Sequence, residues 1–178
     1  MYMGVGEWGW QDIYLRLGQW KKAFAAAQIN LRYGMTQDAH QVQERFSLTD
    51  PAFCPWQPNG SGNGKVLDMI LKSFYYENGE DVVLLGGIPF AWLRQNRKTT
   101  LRNLYTPRGR ITLEANMIDQ RKCKVNLFAE TKGSIPARIR FPEHFNVSDI
   151  TSHPMQKKDG WFESSSESMM YSFLLESV

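Results

Sequence analysis

The chain has 178 residues, 42% of them hydrophobic and 22% charged, a composition of ordinary globular type that excludes disorder of the whole chain. Its 21 basic and 18 acidic side chains leave a formal charge of +3, and no long basic run interleaves with aromatics, so no nucleic-acid partner is expected. No run approaches the roughly 18 apolar residues of a membrane span, so no membrane partner is expected, and the start "MYMGVGEWGW" lacks the basic and apolar regions of a secretory signal.

From Trp8 to Tyr33 the apolar residues Ile13, Leu17, Trp20, Phe24, Ala27 and Leu31 recur at steps of three and four, which predicts helix around the Ala-rich "KKAFAAAQ". Gly34 is the expected stop. Glu7 and Trp10 stand at the start of this segment. There a carboxylate is favoured in its ionised form by the backbone dipole and suits a catalytic or sugar-binding role, or simply a solvated first turn. The polar stretch from Met35 to Asn63, with Pro51, Pro55, Pro58, Gly60 and Gly62, predicts a long loop, in which Glu44, Arg45 and Asp50 hold local hydrogen bonds.

Helical periodicity returns in "GKVLDMILKSFYYENG", where Val66, Leu67, Ile70, Leu71 and Phe74 form an apolar face and predict a helix from about Gly64 to Glu77. Beyond Gly79 the period changes to two. "DVVLLGGIP", "TTLRNLYT", "GRITLEANMI", "KCKVNLFAE" and "ARIRFP" predict short strands, with "FNVSDITS", "GWFESS" and "MMYSFLLES" as three more in the tail. Strands at such close spacing predict an antiparallel β-sandwich.

The stretch "PWQPNGSGNGKVLDMIL" from Pro55 to Leu71 admits three readings. A phosphate loop needs Gly-x-x-x-x-Gly-Lys followed by a hydroxyl residue, but Asn59 stands at the first glycine, Val66 replaces the hydroxyl, and prolines spoil the preceding strand. A plain helix start needs only Asn63 as cap and glycines for tight turning. A sugar site is the third: Trp56 offers a face to pyranose C–H groups, while Gln57, Asn59 and Asn63 offer amide donors and acceptors to hydroxyls. Cys54 and Cys123 form no metal motif, and His40, His144 and His153 lack ligand spacing, so neither metal nor cofactor is implied. The sequons at Asn59 and Asn146 carry no weight without a sign of secretion.

The order "GEWGWQDIYLRLGQWKKAFAAA", "DPAFCPWQPNGSGNGKVLDMIL", "DVVLLGGIPFAWL", "RGRITLEANM" resembles the C-terminal end of glycoside hydrolases built on an (α/α)6 toroid, the alpha-L-fucosidase family in particular. The resemblance spans residues 4 to 142 and implies late toroid helices, an active-site-type loop, the last toroid helix, then a strand and a β-sandwich. In this comparison Gln57 and Gly60 match the loop's Gln and Gly, while Asn59 stands where the family has an Asp on the base side of catalysis. A neutral amide cannot accept a proton as a carboxylate does, so the usual two-carboxylate hydrolysis is not implied.

The expected fold is therefore α+β: toroid-type helices over residues 1–79 and an antiparallel β-sandwich over 80–178. The expected function is that of the C-terminal portion of a carbohydrate-active enzyme, incomplete as a catalyst, with Glu7, Trp10, Trp56, Gln57, Asn59 and Asn63 as candidate carbohydrate-binding residues. Its expected partners are an oligosaccharide or glycan and either an upstream catalytic chain or a second copy docked on residues 8–33. The alternative is a stand-alone β-sandwich module that binds carbohydrate or protein.

Overall fold

The computed structural model describes residues 2–3, 9–36, 40–43, 45–47, 49–50, 59–131, 138–150, 155–158, 161–164 and 169–178. The chain divides into two compact units, residues 1–75 and 76–178.

The first unit is built on three helices, α1 (Gly9–Arg16), α2 (Trp20–Tyr33) and α3 (Gly60–Phe74). Two-residue strands β1 (Tyr2–Met3) and β2 (Arg45–Phe46) pair antiparallel. The helix expected from Trp8 to Tyr33 is divided in two at Leu17–Gln19, because Gly18 takes φ +69°, a left-handed conformation that glycine adopts without penalty and that ends α1. Downstream of α2, the segment expected as loop folds back on itself. Thr36 and Gln41 exchange bonds, the Thr36 N–H donating to the Gln41 carbonyl at 2.9 Å and the Gln41 N–H to Thr36 Oγ1 at 3.0 Å. This turn places buried Val42 in a small core with Ala27 and Met69, against which Leu31, Met35 and Val66 pack.

Helix α3 begins at Gly60, four residues earlier than its periodicity predicts, and ends at Phe74 rather than Glu77. Its first turns carry three glycines that each cost about 1 kcal/mol in helix propensity. A side-chain cap and tertiary packing offset that cost. At the other end, Tyr75 and Tyr76 are buried in β3 (Tyr75–Asn78), the outcome that aromatic residues favour where a sheet can receive them.

The second unit holds β4 (Asp81–Leu84), α4 (Phe90–Asn96), β5 (Lys98–Thr106), β6 (Gly109–Met117), β7 (Lys122–Ala129), β8 (Arg138–Arg140), β9 (Phe145–Ile150), β10 (Met155–Lys158), β11 (Trp161–Ser164) and β12 (Met170–Ser177). Two five-stranded sheets result, with orders β10-β11-β8-β4-β3 and β5-β6-β7-β12-β9. Helices followed by sheets make the chain α+β. In the second sheet the pairs β5–β6, β6–β7, β7–β12 and β12–β9 are all antiparallel, whereas in the first β4 and β8 run parallel, with Asp81 opposite Arg138. Helix α4 and strand β10 were not legible as elements; α4 is a seven-residue turn of helix in "FAWLRQN", too short for a periodic signal.

Alternation decides which faces are buried. Ile111, Leu113 and Ala115 of β6, Val125 and Leu127 of β7, and Tyr171, Phe173 and Leu175 of β12 are buried. Phe173 meets Phe141 with ring centroids 5.0 Å apart and Phe162 of β11 at 6.1 Å. On the other face of the first sheet, Asp81 pairs with both Arg138 and Arg140, whose guanidinium groups lie 4.3 and 4.7 Å from the Trp161 ring centre. Strand β5 is an edge, and its register shifts between Leu101 and Leu104, where Asn103 sits at φ +55°; a bulge of this kind blunts an open edge.

Candidate functional site

The fate of "NGSGNG" decides how much of the candidate site can do chemistry. Asn59 has extended backbone and its Oδ1 accepts the Gly62 N–H at 2.7 Å, the arrangement of a helix N-cap. The helix start expected at Asn63 is thus displaced to Asn59, and Asn63 lies exposed within the first turns of α3. Gly62 is buried against Val42 because the Val42 carbonyl accepts the Asn59 N–H at 3.1 Å and draws the two segments together. The Asn59 carboxamide therefore closes a helix end.

Trp10 lies on α1, 47% exposed, and stacks on Tyr14 one turn later with ring centroids 6.0 Å apart and planes inclined by 27°. The pair presents an aromatic surface of the kind that packs against sugar C–H groups. Glu7, Trp56 and Gln57, the remaining sequence candidates, lie outside the described residues.

Between α1 and α3 a polar seam fixes the platform. Buried Gln11 donates from Nε2 to the Met69 carbonyl at 3.1 Å and to Ser73 Oγ at 2.7 Å, and Ser73 Oγ donates to the same carbonyl at 2.9 Å. Asp12 bridges Arg16 at 3.0 Å and Lys72 at 2.9 Å, while Lys72 also reaches Asp68 at 2.9 Å. Burial pushes the Asp12 carboxyl up, but the hydrogen bonds and charges of Lys72 and Arg16 together hold it below its ordinary value. Burial pulls Lys72 down, and the two carboxylates outweigh it and raise it.

The chain matches no family model, no curated protein and no solved structure. Among the described residues, no three His, Cys, Asp or Glu side chains come together in a way that could hold a metal ion, and no helix is long and apolar enough to cross a membrane. Cys123 is a buried free thiol, pushed up to about 12 by desolvation despite a backbone hydrogen bond.

Sequence reasoning missed a cleft of about 430 Å³ in the second unit, lined by Arg94, Arg97, Met117, Ile118, Asp119 and Gln120. Its two arginines belong to α4 and its cap, Met117 ends β6, and the other three residues lie in the β6–β7 turn, so neither segment signals the site alone.

Proposed function

We propose that the chain is the C-terminal portion of a carbohydrate-active enzyme of toroid type, in which the helices line a ring and the two sheets of the second unit stack as a β-sandwich. It holds glycan and does not hydrolyse it. The observation that carries the reading is the exposed Trp10–Tyr14 stack, a rigid aromatic platform on a helix tied down by Gln11 and Asp12. The Phe162–Phe173 and Phe141–Phe173 ring contacts support stacked sheets.

Ile13 on α1 and Leu17 just past its end also turn outward, Leu17 being 63% exposed, at a spacing that puts both on the side of Trp10. Covering the part of each aliphatic side chain that remains exposed is worth about 1–2 kcal/mol. In a complete toroid a neighbouring helix would cover Ile13 and Leu17 and leave the Trp10 ring open to glycan; the isolated chain covers them with a second copy, dimerising through residues 8–33 at the Leu17 end of α1. Sedimentation of the isolated chain gives a dimer and Leu17→Lys a monomer; a wild-type monomer at micromolar concentration contradicts the docking role.

The test of the sugar role is glycan titration followed by Trp fluorescence. Saturable quenching that Trp10→Ala abolishes is expected. Quenching that survives Trp10→Ala favours the second reading, a stand-alone β-sandwich binding module, which the two five-stranded sheets found among the described residues support. No response to any glycan overturns both.

A further inference from the structure

The geometry points to a binding site for an acidic sugar, a pyranose bearing a carboxylate or a sulfate, in the cleft between α4 and the β6–β7 turn of the second unit. The choice of a sugar as the carrier of the anion rests on the carbohydrate reading above; the anion itself does not.

Three features of the cleft converge. First, Arg94 and Arg97 line it one helical turn apart, and neither makes an ion pair with an acidic group among the described residues. Elsewhere in the second unit Arg108, Arg110, Arg138 and Arg140 have carboxylates within 4 Å, whereas Arg94 and Arg97 keep their charge uncompensated beside the cleft. Two arginines lining one concave surface can offer guanidinium forks to the planar oxygens of a carboxylate or sulfate. Second, the one carboxylate in the lining, Asp119, is turned to the backbone: its Oδ1 accepts the N–H groups of Arg121 at 2.7 Å and Lys122 at 2.9 Å, closing the β6–β7 turn. The cleft keeps a net positive charge. Third, Met117 and Ile118 supply apolar surface, with Ile118 60% exposed, and Gln120 supplies an amide. Apolar surface beside an amide suits a ring that shows C–H groups on one side and hydroxyls on its edge. The volume of about 430 Å³ lies within the usual range for small-ligand sites.

The backbone holds the pair in place at a cost. Arg97 has φ +50° and ψ −43°, a conformation that a side-chain-bearing residue seldom adopts, and its carbonyl accepts the Met117 N–H at 2.7 Å, which ties the end of α4 to the wall of the cleft. Arg94 is braced over the Phe90 ring at 5.7 Å. Strain of this kind persists where surrounding contacts impose it and is concentrated at ligand sites.

The experiment titrates the intact chain, in the Trp10→Ala background, with trigalacturonate, N-acetylglucosamine 6-sulfate, the neutral N-acetylglucosamine and inorganic sulfate. Binding is followed by calorimetry and by the arginine Nε–H signals. The expected result is that one acidic sugar binds at least tenfold more tightly than both the neutral sugar and inorganic sulfate, shifting the Arg94 and Arg97 signals. The tighter of the two acidic sugars identifies the anion. Arg94→Ala and Arg97→Ala each weaken it at least tenfold. Arg97→Gly separates binding from folding, since glycine accepts the left-handed backbone and should be as stable as the wild type while losing the same affinity. Acidic sugars that bind no better than neutral ones, or affinities unmoved by the arginine substitutions, overturn the site; if the Trp10-dependent glycan response persists in the unmodified chain, that failure leaves the carbohydrate reading standing. Equal affinity for inorganic sulfate overturns the sugar assignment.

Discussion

Replacing Gly62 by alanine sets two effects of opposite sign against each other, and the structure decides between them. In a helix interior alanine is favoured over glycine by about 1 kcal/mol. At Gly62, however, the added methyl overlaps Val42 Cγ1 outright and lies 3.0 Å from Val42 Cβ and 3.3 Å from Asn59 Oδ1. Val42 has nowhere to go: it is 1% exposed, β-branched, and held by backbone bonds on either side, from the Asn59 N–H to its own carbonyl and from the Gln43 N–H to the Gly34 carbonyl. Overpacking of this kind costs about 1–3 kcal/mol, and the overlap places it at the upper end, so the net change is a loss of about 1–2 kcal/mol. At Gly64, two residues on in the same helix, an added methyl would meet nothing within 4 Å, so alanine there stabilises by about 0.5–1 kcal/mol. Urea unfolding followed by circular dichroism measures both. The pair Val42→Ala with Gly62→Ala should lose less than the sum of the single changes, because the smaller residue at 42 removes the overlap. A Gly62→Ala chain at least as stable as the wild type would refute the packing of this turn on α3.

Three further outcomes follow from the same unit and its neighbour. Asn59→Ala should lower stability by about 1 kcal/mol through the lost cap, whereas Asn59→Asp, a cap of equal quality favoured by the helix dipole, should stay within about 0.5 kcal/mol of the wild type in thermal melts; equal losses for both would contradict the cap. Asp12 is held below its ordinary value of 3.8, so its stabilising contribution is present above that pH and is lost as pH falls through the lowered folded value. Asp12→Asn should therefore be less stable than the wild type at pH 7 and converge with it on acidification below 3.8, and a pH-independent difference would show that the Arg16 and Lys72 bridges contribute nothing. Cys123, with its thiol pushed up to about 12, should resist iodoacetamide at pH 8 in the folded chain and react on denaturation, read by peptide mass spectrometry; modification at the rate of a free thiol would contradict its burial.

The strands of the second sheet were legible in the sequence because their signal is local. Ile111, Leu113 and Ala115 alternate with Arg110, Thr112 and Glu114, and the structure buries the first set. Helix α3 was legible as a helix, but neither its buried face nor its ends were: Leu67 and Ile70, expected on the apolar face, are 58% and 40% exposed, while Met69 and Ser73 are buried. Its start depends on a cap at Asn59 and on a contact with Val42, seventeen positions upstream, while its end depends on the sheet that receives Tyr75 and Tyr76. The division at Gly18 was hidden because the apolar steps of three and four continue across it. The parallel β4–β8 pair joins segments more than fifty residues apart, a relation no local pattern carries. Among the sequence candidates, Trp10 could be chosen as an aromatic near a helix start, but its stacking on Tyr14 follows only once α1 is known to span both. The cleft at Arg94 and Arg97 was illegible for the same reason as α4, whose seven residues are too few to show a period.

The most direct test of glycan binding without hydrolysis is one incubation of the intact, purified chain with a panel of oligosaccharides, read both for saturable Trp quenching and for released reducing sugar. Quenching without release is the predicted result. Release of sugar that tracks the pure chain, or the absence of a response to every glycan, would contradict the account.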